Sequence, residues 1–221
     1  MINQDYILLI FNCQIYRYKA EFQKTGWLQT LPTNIIYFHV IGEPTLKTDY
    51  SIDTTNKILY LKVEDDYNSL PKKVIRAYKT ITKLYNFKYI FKTDDDQICQ
   101  NIRIFDTLIK SFNKKTTTNK KHYGGQINDV KQPYISRYSL IHNELPQDLI
   151  IKPTKYCSGR FYFLSKEAMD CLISKQMEIE CEYLEDYAIG YYLKESFKTT
   201  ILNLETNKYF IDSEFNHHST L

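Results

Sequence analysis

The chain alternates between short apolar runs, rich in β-branched and aromatic residues, and longer segments whose apolar residues recur at helical spacing. Buried strands are predicted over Tyr6–Phe11, Ile35–Val40, Leu59–Val63 and Tyr89–Phe91. Helices are predicted over Tyr16–Gln29, from Ser69 and Pro71 to Tyr85, and from an Asn101 N-cap to Phe112. Strands that alternate with helices predict an α/β fold, with a mostly parallel Rossmann-like sheet flanked by helices.

The pattern is less regular in the second half of the chain. Asn113–Lys121 contains only Asn, Lys and Thr and predicts a solvated loop. Ser165 is predicted to cap a helix, a further helix should begin near Glu185 and Asp186, and Ile201–Leu202 predicts a last strand. Since there is no internal repeat and no long linker, we expect a single domain over residues 1–221.

Composition excludes several classes of protein. The 221 residues carry a formal net charge of +3 and are 43% hydrophobic, which excludes a disordered chain or a coiled coil and gives no reason to expect nucleic acid as a partner. The apolar run Tyr6–Phe11 is far shorter than the roughly 20 residues of a membrane helix, and no basic segment precedes it. We therefore expect no membrane segment, no signal peptide and a cytoplasmic location.

Residues with AT-rich codons are abundant, because 24 Lys, 26 Ile and 14 Asn stand against 4 Ala and 5 Arg. The lysines therefore indicate genomic bias and not selection for a polyanion. A large AT-rich viral genome is one source that fits this bias, and it would place the protein in the host cytoplasm. The five cysteines form no CxxC pair, which favours a reducing compartment over a disulfide or zinc scaffold.

The strand predicted to end at Phe91 runs into three consecutive carboxylates, Asp94, Asp95 and Asp96. In extended backbone Asp94 and Asp96 point to the same side. Three adjacent negative charges favour a hard divalent cation, which takes oxygen ligands and bridges to phosphates. Ligands of open α/β sheets bind at the carboxyl ends of the strands, where this triplet lies. The alternative is a solvated acidic turn.

A small-residue turn, Tyr156-Cys157-Ser158-Gly159, precedes an aromatic strand that ends near Ser165. Glycine lacks a Cβ atom, so Gly159 would let the backbone approach a ligand closely. The alternative is a tight turn in a core hairpin.

Glu185 and Asp186 lie at the start of a predicted helix, where the helix dipole stabilises negative charge. They either cap this helix or include a general base that accepts a proton from a substrate hydroxyl. Gly190, inside the same helix, costs about 1 kcal/mol relative to Ala, which predicts close packing there. His217 and His218, near the C-terminus, are either metal ligands or a solvent-exposed pair.

Together these segments resemble glycosyltransferase family 31, the β1,3-galactosyltransferase and Fringe superfamily, over most of the chain. Lys92 to Asp96 matches the metal motif of the family, Tyr156 to Gly159 its Tyr-Cys-Ser-Gly motif, and Glu185 to Gly190 its Glu-Asp-x-x-x-Gly motif, in the same order. Asp65 to Lys73 is similar to its Asp-x-Tyr-x-x-Leu-x-x-Lys element. Arg160 departs from the family, because a second Gly is usual there.

The resemblance implies a GT-A-like fold. Because we expect no membrane segment, the chain would be a compact form that departs from the Golgi members, which have a membrane anchor. It implies a nucleotide-sugar-binding half over residues 1–112 and an acceptor-binding half over residues 122–221. The implied reaction moves a sugar, with inversion, from a UDP-sugar donor to a hydroxyl group of a glycan or glycoprotein acceptor. Mn²⁺ is the implied cofactor, with Mg²⁺ as the alternative.

The resemblance also implies roles for single residues. Asp96 and His218, or His217 in its place, would hold the metal ion. Asp186 would be the catalytic base, with Glu185 as its orienter or substitute. The remaining candidates would contact the donor; they are Asp94, Asp95, Lys73, Asp65 and Gly159.

Two other classes of protein use some of the same residues. A metal-dependent phosphohydrolase or nucleotidyltransferase would use Asp94 to Asp96 but would not need Asp186. A non-catalytic carbohydrate-binding protein would account for the 20 tyrosines, although tyrosine also follows the AT-rich bias.

Overall fold

The computed structural model describes residues 1–113 and 120–213. Its first half contains, in chain order, β1 (Ile2–Asn3), β2 (Tyr6–Phe11), α1 (Arg17–Thr25), β3 (Ile35–Gly42), β4 (Tyr50–Asp53), β5 (Ile58–Leu61), α2 (Leu70–Leu84), β6 (Tyr85–Asn86), β7 (Tyr89–Asp94), β8 (Gln97–Cys99) and α3 (Arg103–Phe112). The second half contains β9 (Tyr123–Val130), β10 (Tyr134–Ile135), β11 (Ile150–Ile151), β12 (Thr154–Ser165), α4 (Lys166–Ile173), α5 (Gln176–Ile179), α6 (Glu185–Tyr192), α7 (Glu195–Lys198), β13 (Leu202–Asn203) and β14 (Phe210–Asp212).

Eight of these strands form one central sheet in the order β13-β9-β12-β7-β2-β3-β5-β4. Four consecutive strands, β7, β2, β3 and β5, run parallel to one another. β4 is antiparallel to β5, and β12 is antiparallel to both β7 and β9. The predicted α/β fold with a mostly parallel sheet flanked by helices is confirmed.

The central strand β2 is buried along its whole length. Its side chains alternate between two cores, with Leu9 in the core under α2, α4 and α6 and Leu8 in the core under α3. Both faces of the sheet are therefore covered, which is why the strand is a continuous apolar run without polar alternation. This three-layer packing leaves the strand ends at the edge of the sheet open for a cleft.

The predicted helix Tyr16–Gln29 is wrong at its end. Helix α1 stops at Thr25, and Trp27–Thr30 forms a separate 3₁₀ turn. Gly26 separates the two, and its N–H donates to the carbonyls of Phe22 and Gln23. The break lets the Trp27 side chain turn into the core that contains α3.

Several boundaries in the second half also differ from the prediction. Residues 154–165 form one long strand, not a turn followed by a strand, and its pairing with β9 is irregular between Cys157 and Tyr162. Helix α3 begins at Arg103 and not directly after Asn101. The predicted last strand lies at Leu202–Asn203, and β14 follows it. Most of the predicted loop Asn113–Lys121 lies outside the described residues.

Among the described residues, no helix combines the length and the apolar character that crossing a bilayer requires.

His39, in β3, is fully buried, and neither of its ring nitrogens has a hydrogen-bond partner among the described residues. Burial, with a smaller contribution from Lys24, lowers the pKa of His39 to about 3. An exposed histidine has a pKa of about 6.5, so between these two values the unfolded chain binds one more proton and stability falls as the pH falls.

We therefore expect His39 to reduce the free energy of unfolding by about 2 kcal/mol between about pH 8 and about pH 5. His39→Gln should remove this part of the pH dependence. Urea unfolding of both proteins at the two pH values measures it. An equal loss of stability in both proteins would mean that another group is responsible.

Candidate functional site

A cleft of about 710 Å³ opens at the carboxyl ends of β2 and β7, where open α/β sheets bind their ligands. It is lined by every predicted site residue within the described part of the chain: Asp65, Lys73, Asp94, Asp95, Asp96, Gly159, Glu185 and Asp186. The remaining two, His217 and His218, lie outside the described residues. Folding therefore brings together side chains that are more than a hundred positions apart in the sequence.

The carboxylate triplet forms the end of β7 and the turn that follows it. Asp94 is the last residue of the strand, and the chain turns through Asp95 and Asp96 into β8. Asp95 lies 3.6 Å from the Nζ atom of Lys19. Asp96 accepts a hydrogen bond of 2.8 Å from the side-chain amide of Gln97. The three carboxylates therefore have different surroundings, although all three line the cleft.

Two carboxylates of the triplet have raised pKa values. Burial raises the pKa of Asp94 to about 6, and Lys92 opposes this rise. Burial likewise raises the pKa of Asp95 to about 7, with Lys19 opposing it. An additional cation beside these groups would favour their ionised forms.

Lys92 is a buried cation of the site. It lies within β7, only 1% of its side chain is exposed, and its Nζ donates to Asp94 Oδ1 at 2.6 Å and to the carbonyl of Gly159 at 2.8 Å. The same Nζ lies 3.2 Å from Glu185 Oε2. Burial alone would lower the pKa of Lys92, but Asp94 and Glu185 outweigh burial and raise it. Lys92 therefore remains charged and joins the strand of the triplet to the start of α6.

Glu185 and Asp186 are adjacent but differ in their surroundings. Glu185 is buried, and its two oxygens are engaged by the hydroxyl of Tyr162 and by Lys92. Asp186 is only partly buried, and its Oδ2 accepts from the Gly159 N–H at 3.2 Å. Burial raises the pKa of both carboxyls, and Lys92 opposes the rise in both. Asp186 is the more accessible of the two from the cleft.

Neither carboxylate is the N-cap of α6. That position belongs to Leu184, and Glu185 and Asp186 are the first two residues of the helix. The side chain of Asp186 accepts instead from the N–H of Tyr187, at 2.7 Å. Negative charge in the first helical turn is still stabilised by the helix dipole.

Asp65 and Lys73 form an ion pair at the cleft wall, with Lys73 Nζ 2.8 Å from Asp65 Oδ1. Lys73 is 3% exposed and also donates to the carbonyl of Asn12. Asp65 accepts from the N–H groups of Gly42 and Gln14. The pair therefore ties α2 to the segment that follows β2 and to the end of β3.

Gly159 lies in the irregular part of β12 and faces the buried lysine. A Cβ atom there would come within 3.3 Å of Lys92 Nζ and 3.5 Å of Asp94 Oδ2, so the site favours a residue without a side chain. The neighbouring Arg160 forms a two-point ion pair with Asp212 of β14, at 2.8 and 2.9 Å. Arg160, which departs from the family motif, thus holds the C-terminal strand beside the cleft.

Gly190 packs α6 directly against β12. A Cβ atom at this position would meet Tyr156 Cβ at 2.2 Å and the Lys155 carbonyl at 2.8 Å. The predicted close packing is confirmed.

We expect Gly190→Ala to lower the free energy of unfolding by about 1 to 3 kcal/mol, because overpacking outweighs the higher helix propensity of Ala. Thermal unfolding checks this expectation. Ala188 is fully buried on the same helix. Ala188→Gly therefore provides a control that removes a methyl group from α6, whereas Gly190→Ala adds one. A Gly190→Ala protein that is as stable as the unsubstituted protein would contradict the close packing.

Residues with charged or hydroxyl contacts in or next to the cleft that were not predicted as functional include Lys92, Tyr162 and Asp212. The sequence could have indicated a role for Lys92, because a lysine inside a strand of buried residues requires a buried partner. No local pattern indicates a role for Tyr162 or Asp212. Tyr162 contacts Glu185 and Asp212 contacts Arg160, and both contacts join parts of the chain that are distant in sequence.

The oxygen atoms that line the cleft suit a hard divalent cation, because Asp94, Asp95 and Asp96 supply carboxylate oxygens as ligands. Within residues 1–113 and 120–213, however, no three His, Cys, Asp or Glu side chains are arranged to hold a metal ion. Of the ligands implied by the family resemblance, Asp96 is in the cleft, and His217 and His218 lie beyond the described range.

Comparison with solved structures finds similar glycosyltransferases. The bifunctional glycosyltransferase WbbM, in its apo structure, is 10% identical with a TM-score of 0.49, over 92% of this chain and 39% of WbbM. The glycosyltransferase GlyE of Streptococcus pneumoniae TIGR4 is 8% identical with a TM-score of 0.48, over 93% of this chain and 46% of GlyE. The chain thus spans less than half the length of either protein. No curated protein sequence matches it.

A sequence model of a protein family gives the assignment. The model described as Galactosyltransferase matches residues 21–203, which include all the predicted site residues except His217 and His218. This is most of the chain, and it confirms the resemblance that the motifs indicate. The chain therefore belongs to the galactosyltransferase family, a family of hexosyltransferases.

Proposed function

We propose that this cleft transfers a sugar from a UDP-sugar donor to a hydroxyl group of a glycan or glycoprotein acceptor, with inversion. One observation carries the proposal: the carboxylate triplet and Asp186, which come from β7 and α6, line the same cleft in a member of this family. Such a reaction needs charge compensation at the diphosphate leaving group and a base at the attacking hydroxyl. The cleft contains a candidate group for each requirement.

Charge compensation is assigned to a divalent cation, Mn²⁺ or Mg²⁺, held by Asp96 together with His218, or with His217 in its place. When bound, the cation would offset the negative charge that develops on the leaving diphosphate. This assignment is supported by the three carboxylates that line one cleft, because hard divalent cations take oxygen ligands.

Proton removal is assigned to Asp186. Asp186 is partly exposed and accepts from two backbone N–H groups, whereas Glu185 is buried and its two oxygens are engaged by the Tyr162 hydroxyl and the Lys92 ammonium. A buried carboxylate that is paired with an ammonium group is a poor acceptor for a proton of the substrate. We therefore assign Glu185 as the residue that orients the site, and Asp186 as the base.

The donor contacts are assigned to the remaining residues of the cleft. Asp94 and Asp95 would contact the ribose or the sugar, and Gly159 would let the donor approach the backbone. Lys73 and Asp65 would shape the nucleotide side, since their ion pair lies at the cleft wall. In this assignment residues 1–112 hold most of the donor and residues 122–221 most of the acceptor.

The test is the release of UDP from a panel of UDP-sugars in the presence of Mn²⁺. We expect UDP release that increases when a suitable acceptor is added and that stops when EDTA removes the metal ion. A parallel reaction without protein corrects for spontaneous hydrolysis. Release of inorganic phosphate or of a nucleoside monophosphate in place of UDP would contradict the proposal and indicate a phosphohydrolase.

A further inference from the structure

Lys92 occupies an unusual position for a lysine. The three residues before it in β7 are apolar and buried, Thr93 after it is also buried, and its own side chain is 1% exposed. A buried ammonium group is costly unless it is paired and fully hydrogen-bonded. Lys92 meets this condition, because its three hydrogens can reach Asp94 Oδ1 at 2.6 Å, the Gly159 carbonyl at 2.8 Å and Glu185 Oε2 at 3.2 Å.

The contacts of Lys92 continue into a buried chain of hydroxyl groups. The other oxygen of Glu185 accepts from the Tyr162 hydroxyl, which is 2.6 Å from the hydroxyl of Tyr78. Both tyrosines are fully buried. Glu185 is therefore held from both sides, and Lys92 in turn has a fixed anionic partner beneath the cleft.

The peptide groups of Gly159 connect Lys92 to Asp186. The Gly159 carbonyl accepts from Lys92, and its N–H donates to Asp186 Oδ2 at 3.2 Å. A shift of the Lys92 ammonium would move Gly159 and thereby one of the two backbone donors that orient the Asp186 carboxylate. The Lys92 ammonium also donates to Asp94, so it links Asp94 to the Gly159 peptide.

We propose that Lys92 is a positioning residue for the reaction. The Lys92 ammonium holds Asp94 and the Gly159 peptide in the arrangement that directs Asp186 into the cleft. Tyr162 supports this arrangement through its hydrogen bond to Glu185. The inference rests on the proposed function, because the orientation of Asp186 matters to turnover only if Asp186 is the base. Lys92 itself touches neither the reacting hydroxyl nor the leaving group in this account.

The first variant is Lys92→Met, which keeps the length of the side chain and removes its charge and its donors. We expect kcat for UDP release to fall by about tenfold to a hundredfold, since a misplacement of about 1 Å in an active site has an effect of that size. We also expect the backbone amide of Gly159 to exchange its hydrogen at least about tenfold faster, because Gly159 loses the contact that fixes it. Hydrogen exchange followed by mass spectrometry measures the second effect without any substrate.

Tyr162→Phe provides a milder variant that removes one hydroxyl from the buried chain. It should change kcat and Gly159 exchange in the same direction by a smaller factor, and it decides the question if Lys92→Met does not fold. Lys198→Met is the matched control. Lys198 is also buried and donates to Thr154 Oγ1 at 3.0 Å, but it does not line the cleft. This control should leave kcat per folded molecule and Gly159 exchange unchanged.

Two results would overturn the proposal. The first is that kcat and Gly159 exchange of the Lys92→Met protein both match those of the unsubstituted protein. If Lys92→Met does not fold, the same result for Tyr162→Phe would overturn the proposal. The other is a Lys198→Met protein with equally fast Gly159 exchange, which would show general destabilisation. Absence of UDP release by the unsubstituted protein would instead contradict the proposed function. The exchange measurement would still decide whether Lys92 fixes Gly159.

Discussion

Asp186→Asn is expected to lower the turnover of UDP-sugar by roughly 10² to 10⁴, the usual contribution of general-base catalysis. Asparagine keeps the size of the side chain and one oxygen acceptor, but it cannot take a proton. The loss of one acceptor at the Gly159 or Tyr187 N–H should change stability by about 1 kcal/mol. Affinity for UDP and Mn²⁺ should stay nearly constant, because the base acts on the acceptor side. Steady-state kinetics and calorimetry measure the two quantities.

Two further variants make the Asp186 result specific. Glu185→Gln shows the large loss of turnover instead if Glu185 is the base. Glu167→Gln removes a carboxylate from the first turn of another helix, α4, outside the cleft, and should keep full turnover. Equal turnover in Asp186→Asn, Glu185→Gln and the unsubstituted protein would remove this pair from the mechanism.

Asp96→Ala is expected to nearly abolish Mn²⁺-dependent binding of UDP while leaving the fold intact. Removing one of three adjacent carboxylates relieves repulsion within the triplet. The side-chain amide of Gln97, which donates to Asp96, keeps a second acceptor, Asp212, at 2.8 Å. Calorimetric titration of UDP with and without Mn²⁺ measures the effect.

Asp106→Ala is the control for this experiment, because Asp106 is an exposed acidic residue on α3 outside the cleft. Its affinity for UDP and Mn²⁺ should equal that of the unsubstituted protein. Unchanged affinity in Asp96→Ala would show that Asp96 is not a ligand of the ion.

Local sequence signals were sufficient to predict the parallel strands of the sheet and the position of the cleft. Tyr6–Phe11 and Tyr89–Phe91 are apolar runs that only a strand covered on both faces would need, and the structure contains strands at both positions. Because the carboxyl ends of neighbouring parallel strands meet, the position of Asp94 after such a run predicted a cleft there.

Contacts between distant segments were not predictable from local pattern. The long strand β12 joins the sheet beside β7 by antiparallel pairing, and its irregularity at residues 157–162 places Gly159 over Lys92. No residue spacing encodes such a pairing. The same reason explains why the Arg160–Asp212 ion pair and the Tyr162–Glu185 contact were missed. The break of α1 at Gly26 depends on the burial of Trp27, which is also a tertiary effect.

The most direct test of the proposed function is a crystal structure of the protein with UDP and Mn²⁺. We expect the diphosphate in the cleft between the end of β7 and the start of α6, with the ion bound by Asp96. We also expect the Asp186 carboxylate to face the space left for the acceptor. UDP bound elsewhere, or in the cleft with an ion that does not contact Asp96, would contradict it.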